Sequence, residues 1–175
     1  MKQLTILLIL LLSTQINAKM LISPFDAMKA NFGEKTKIIK KNILLKNEQA
    51  KNVQKSAKVK LKSKIFKTFK AVKAKEIVGY GIIVNRKVRS KNAVVLYMIS
   101  KDGVLKGMEI IAFNEPMEYI PSKTWQKQFK EIPTTKKLRL NKDIPTITGA
   151  TLSARSIVDG SRVAFAFYDE VLKGK

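Results

Sequence analysis

The chain contains no cysteine and no histidine among its 175 residues. Without cysteine there is no disulfide framework, iron–sulfur cluster, thiol nucleophile or thioether-linked haem. Without histidine the commonest metal ligand and general base is missing, and a Ser-His-Asp triad is excluded. No catalytic residue and no metal site is expected, so redox or group-transfer chemistry would have to come from a bound organic cofactor. Arginine is scarce too. Of 35 basic residues only 5 are Arg, so the net charge of +22 is a lysine charge. Such a charge first suggests nucleic acid. Phosphate and base-edge recognition favours the Arg fork, however, and the basic stretch lacks interleaved aromatics to stack bases. A solvated lysine face and no nucleic-acid partner are expected; attraction to an anionic membrane or to an acidic protein stays open.

Long apolar runs are missing as well. Leu4 to Leu12 is an apolar run of nine residues, against roughly 20 for a membrane-spanning helix. With Lys2 before it and Ile16-Asn17-Ala18 after it, it reads as a signal peptide over residues 1–18, cleaved after Ala18. The protein is therefore expected to be periplasmic or otherwise extracytoplasmic.

Beyond the leader, residues 19–75 hold 17 Lys against three acids, and residues 76–175 hold 17 basic and 10 acidic residues. The charge is concentrated in a Lys-rich N-terminal segment. There Val53, Ala57, Leu61, Ile65, Phe69 and Val72 recur at spacings of four and three, which predicts one amphipathic helix over about Glu48 to Val72. It is expected to lie on the body of the domain, with a membrane surface as the alternative. Three strand-like runs follow: Ile77 to Val84, Ala93 to Ile99 and Val104 to Phe113. Asp102-Gly103 between the last two predicts an antiparallel hairpin, and the first run should join the same sheet. Gly79 and Gly81 in the first run leave room for close approach of another backbone or a ligand. Ser122 looks like the cap of a short helix carrying Trp125 and Phe129, which are expected in the core, with a place beside a planar cofactor as the alternative. Residues 133–141 read as a basic connector. A final helix is predicted over Ser153 to Leu172, burying Ala154, Ile157, Val158, Ser161, Phe165, Tyr168 and Val171. The fold class is therefore α+β, a small antiparallel β-sheet packed against an N-terminal basic helix and a C-terminal helix.

The stretch before that last helix is the most informative. Hydroxyls cluster at Thr146, Thr148, Thr151, Ser153 and Ser156 around one Gly-Ala pair. Small polar residues delivered to a helix N-terminus meet free N–H groups and the positive end of the helix dipole. Two readings stand together: an ordinary N-cap, and an anion site.

At Thr148-Gly-Ala-Thr151, followed by Leu152-Ser153, the sequence resembles the FMN-binding domain family, which includes the covalently flavinylated subunits of the Rnf and Nqr redox complexes and small exported flavoproteins. The resemblance covers about Gly79 to Leu172 and extends to the Asp102-Gly103 hairpin, Glu115-Pro116 and the Trp125 to Phe129 segment. It implies FMN as cofactor over a domain of residues 76–175. Thr151 would be the residue that a flavin transferase joins to the FMN phosphate. Thr148, Gly149, Ala150, Leu152 and Ser153 would shape the phosphate and ribityl pocket, with Glu115 a further contact. The sequence departs from the family where its Asp, six residues before the modified Thr, falls here on Pro145, with Asp143 two residues earlier. The implied function is extracytoplasmic electron transfer with membrane or periplasmic redox proteins as partners. The alternatives are a small flavin-dependent reductase of a diffusible substrate and a non-redox basic module of the cell envelope.

Overall fold

The structure is a computed structural model that describes residues 20–174; the expected signal peptide lies outside the described residues. Six antiparallel strands form one sheet in sequence order: β1 (Lys37–Leu44), β2 (Ile65–Lys73), β3 (Glu76–Lys87), β4 (Asn92–Ser100), β5 (Val104–Phe113) and the short β6 (Ile132–Pro133). Helices cover both faces. α1 (Pro24–Phe32) packs on one; α2 (Asn47–Ala57) and α4 (Thr151–Phe167) pack on the other. A small helix, α3 (Lys123–Gln126), sits between β5 and β6 in the chain. The fold is α+β. Among the described residues no helix is long and apolar enough to cross a membrane.

The pleat explains which residues went where. In β4, Val95, Tyr97 and Ile99 enter the larger core under α4, while Leu96 and Met98 enter the smaller core under α1. A central strand buried on both faces reads as a continuous apolar run, as Ala93 to Ile99 does. The β4–β5 hairpin turns at Asp102-Gly103 and pairs antiparallel, and β3 joins β4 in the same sheet. Gly79 and Gly81 do admit a close neighbour, but it is α1: the Phe32 ring lies against Gly79 and Met28 Sδ against Gly81.

The single basic helix over Glu48 to Val72 is not observed. α2 stops at Ala57, where Lys58 takes the left-handed conformation (φ 52°) and donates its N–H to the Gln54 carbonyl. The Gln54 side chain then accepts the Leu61 N–H, and Ser63 Oγ accepts that of Ile65. From Ile65 the chain is strand, with Phe66 in the larger core and Phe69 in the smaller. The spacing of four and three is real only for Val53 and Ala57; past Lys58 the β-forming Ile-Phe-Lys-Thr-Phe sequence pairs on both sides, with β1 and β3. The N-terminal segment is therefore half sheet. Its edge strand β1 carries Lys37, Lys40 and Lys41, charges that discourage edge-to-edge association.

The position of α4 is set from the middle of the sheet. Tyr97 of β4, fully buried, donates its hydroxyl to the Ile157 carbonyl at 2.7 Å, and its ring rests against Gly160. Burial drives the Tyr97 phenol far above its ordinary range, so it stays a donor. All seven residues expected on the buried face of this helix are buried. The helix begins two residues earlier than the sequence pattern suggests, at Thr151, and ends in a π-helical turn over Tyr168–Leu172. A Cβ at position 160 would collide with the Tyr97 hydroxyl. Gly160→Ala is expected to cost about 1–3 kcal/mol, the usual range for overpacking. Thermal unfolding would measure it, and Tyr97→Phe in the same chain should recover part of the loss.

Candidate functional site

The N-terminus of α4 is delivered by a tight turn. Ala150 N–H donates to the Ile147 carbonyl at 3.0 Å, and Gly149 within that turn has φ +79°, a conformation that favours glycine. A Cβ there would meet no atom within 4 Å, so the backbone dihedral, not crowding, demands the glycine. The N-cap position falls on Ala150, and no side chain caps the helix. This separates the two readings of the hydroxyl cluster. Thr148 is exposed and stands clear of the helix start, and Thr151 and Ser153 lie inside the first turn. None of these hydroxyls acts as an N-cap.

What they do instead differs. Thr151 is exposed, and its Oγ1 donates back to the Ile147 carbonyl at 3.2 Å. Ser153 is 1% exposed, and its Oγ has no hydrogen-bond partner. A buried hydroxyl without a partner is uncommon and costly unless something else satisfies it. The dipole of a 17-residue helix adds a positive field at the same place.

These residues border a cavity of about 250 Å³ lined by Val88, Arg89, Glu115, Tyr119, Gly149, Ala150, Thr151, Leu152 and Ser153. Six of the seven expected site residues thus meet around one space; Thr148 does not line it. Val88, Leu152 and Tyr119 supply an apolar wall, and exposed Arg89 supplies a cation. Val88, Arg89 and Tyr119 had no local signal in the sequence. The first two sit in the turn between β3 and β4, which reads as a bare basic connection.

Glu115 has a role that spacing could not reveal. It is only 6% exposed, and its Oε1 accepts the backbone N–H groups of Arg89 (3.0 Å), Ser90 (2.5 Å) and Lys91 (2.7 Å). The Ser90 hydroxyl lies within 3.3 Å of both carboxylate oxygens. The carboxylate therefore clasps the β3–β4 turn and presents Val88 and Arg89 to the cavity. These bonds, the one from Lys91 foremost, hold the carboxyl down to about 2 against an ordinary 4.5. With Oε1 so occupied, Glu115 shapes the cavity wall through the turn that it holds.

Trp125 and Phe129 are core residues, their rings 5.1 Å apart. Ser122 caps α3, accepting the Trp125 N–H, but the helix ends at Gln126, so Phe129 lies beyond it and not on it as expected. Trp125 Nε1 donates to the Pro145 carbonyl at 2.8 Å, tying the approach to the site onto α3. Asp143 is engaged elsewhere. It accepts both the backbone N–H and Nε of Arg139 at 3.0 Å, and Arg139 keeps its carboxyl below the usual range.

An uncapped helix start, an orphan hydroxyl, a cation and an apolar wall suit a ligand with a phosphate at one end and a flat apolar part at the other. Comparison with known proteins points the same way. Residues 90–166 match the family described as FMN-binding domain. No match was found among curated proteins. The matched segment includes the helix start, Glu115 and Tyr119, and it begins just after Val88 and Arg89.

Because the folded Glu115 carboxyl is depressed, its stabilisation is present above pH 4.5 and is lost as the pH falls toward 2. Glu115→Gln should lower the thermal midpoint at pH 7 and remove this component of the acid slope. Midpoint-against-pH curves that superimpose for the two proteins would contradict the clasp.

Proposed function

We propose that this chain, whose residues 90–166 match the FMN-binding domain family, is an exported flavoprotein and electron carrier whose FMN is esterified to Thr151. The observation that carries the reading is the α4 N-terminus: no side chain caps it, the buried Ser153 hydroxyl lacks a partner, and the Thr151 hydroxyl is exposed beside them. A nucleotide phosphate would satisfy all three. In the attachment step the Thr151 Oγ1–H bond breaks and an Oγ1–P bond forms. The proton leaves with the group displaced from phosphorus in the activated flavin nucleotide that a transferase supplies. The product, a phosphodiester, keeps one negative charge for the helix dipole to hold.

FMN supplies the one- and two-electron chemistry when bound. The chain's own residues bind and orient. Ser153 and the first-turn N–H groups hold the phosphate, Gly149 leaves the approach open, and Val88, Leu152 and Tyr119 shield the flavin from water. The cavity lies just below the roughly 300–1,000 Å³ usual for small-molecule sites. Part of the cofactor would therefore remain outside, reachable by a redox protein.

Export rests on the leader pattern of residues 1–18. The partners would be the flavin transferase and membrane or periplasmic redox proteins with acidic docking faces, drawn by the lysines of the N-terminal segment.

Expression in an exporting host with a flavin transferase tests attachment. The wild-type chain should emerge yellow and heavier by one FMN, and Thr151→Ala should carry no covalent flavin. The substitution should cost about 1 kcal/mol of stability or less, since the Thr151 hydroxyl makes one exposed bond. Ser153→Ala should leave the flavin-free fold intact while weakening retention of added FMN. A colourless protein of unmodified mass would overturn the proposal.

The reduction rate of an acidic acceptor should fall steeply between ~0.01 and ~0.15 M salt, as the Debye length shrinks from about 30 to about 8 Å. A rate indifferent to salt would refute steering by the lysine face.

A further inference from the structure

The other end of α4 carries a second cavity, of about 170 Å³, where the last turn of α2 meets the segment after β6. Its walls include Ser56, Thr134, Thr135, Lys136, Lys137 and Arg162. The Lys58 amine, at the left-handed end of α2, neighbours that of Lys137 beside the cavity, and Arg162 and Arg139 add their charge. The Lys58 side chain is the largest cause that holds the Lys137 ammonium below its ordinary value, followed by desolvation and the repulsion of the surrounding cations. One carboxylate, Asp169, reaches the cavity, and it is already engaged. Thr134 Oγ1 donates to it at 3.0 Å and Lys173 lies at 4.0 Å.

Arginine is rare in this chain, so the placement of Arg162 is informative. One of its terminal nitrogens pairs with Asp159, but its Nε is buried and unpartnered. The Ser56 and Thr135 hydroxyls have no protein partner among the described residues. The free groups around this space are cations and rotatable hydroxyls that can all donate. Such a wall is complementary to an acceptor-only ligand of compact shape. A lysine face that was merely solvated would spread its ammonium groups apart.

We infer that this cavity binds a phosphate group, held by Lys137 and Arg162 Nε with Thr135 and Ser56 as hydroxyl donors, and with Lys58 adding its charge from outside the wall. The site is separate from the flavin phosphate site, since its α4 residues begin three helical turns beyond Thr151. A phosphate here would bind α2, the segment after β6 and α4 to one another, and would neutralise the Lys58–Lys137 contact. The phosphate group could be free in solution or belong to a lipid headgroup.

The test uses the FMN-loaded chain, so that the flavin site is already filled. Inorganic phosphate is titrated calorimetrically at constant ionic strength maintained with chloride. Saturable binding at one site per chain is expected, weakened at least tenfold by Lys137→Gln and by Thr135→Ala. Lys106→Gln, on a lysine paired with Glu131 at the sheet edge, should leave it unchanged. Flotation with vesicles then distinguishes the sources. Preference for phosphatidic acid over phosphatidylserine at equal charge, erased by Lys137→Gln, assigns a lipid headgroup; saturable phosphate binding without it assigns free phosphate. Absence of saturation, or equal weakening by all three substitutions, would reduce the effect to diffuse attraction and overturn the site.

Discussion

The structure depends on how α4 is held across the sheet. Tyr97 rises from the centre of β4, gives its hydroxyl to the Ile157 carbonyl, and lies against a residue that must be glycine. The contact is buried, so the hydrogen bond cannot be exchanged for water without opening the core. From this point both ends of the helix are determined. Its N-terminus reaches the Ile147–Ala150 turn and the β3–β4 clasp, and its C-terminal half faces α2 and the basic cavity. One anchored helix thus borders two electropositive cavities, by different means. The first uses free backbone N–H groups and the dipole, the second side-chain cations.

Glu115 is a negative group built into the wall of a cavity at a helix N-terminus. A carboxylate pointing into a phosphate site would repel the ligand. Here it accepts three N–H bonds from the backbone of residues 89–91, which hold it ionised. The result is a rigid wall that carries Arg89 to the cavity rim. Asp143 is likewise spent, on Arg139. Pro145, at the position where the resemblance implies an Asp, contributes a carbonyl to Trp125. The approach to Thr151 in this chain is therefore held by an indole hydrogen bond, with no carboxylate at that position.

Local patterns were legible and long-range ones were not. Asp102-Gly103 between two β-forming runs, Ser122 before its helix, and the buried stripe of α4 each depend on a few neighbouring residues. The sheet's first two strands were hidden because Lys-rich β1 lacks clean alternation. Phe69 and Val72 of β2 also fell by accident on a helical continuation of Val53 and Ala57. The turn that joins β2 to β3 is built by Ala74 and Lys75 at positive φ (49° and 69°), without the glycine or asparagine that usually advertises it. At the site, Gly149 and the hydroxyl cluster marked the helix start. The clasp by Glu115 was invisible, because its partners lie 24 to 26 residues away and are backbone N–H groups. The basic cavity was equally hidden, since three distant segments assemble it.

The central claim is that FMN sits at the start of α4 on one particular hydroxyl. Tryptic digestion offers a direct test, because cleavage after Lys142 and Arg155 releases residues 143–155 with Thr146, Thr148, Thr151 and Ser153 in one peptide. Fragmentation of that peptide, from protein exported in the presence of a flavin transferase, should find the FMN mass on Thr151 alone. The mass on Thr148, or a peptide without flavin, would contradict the account.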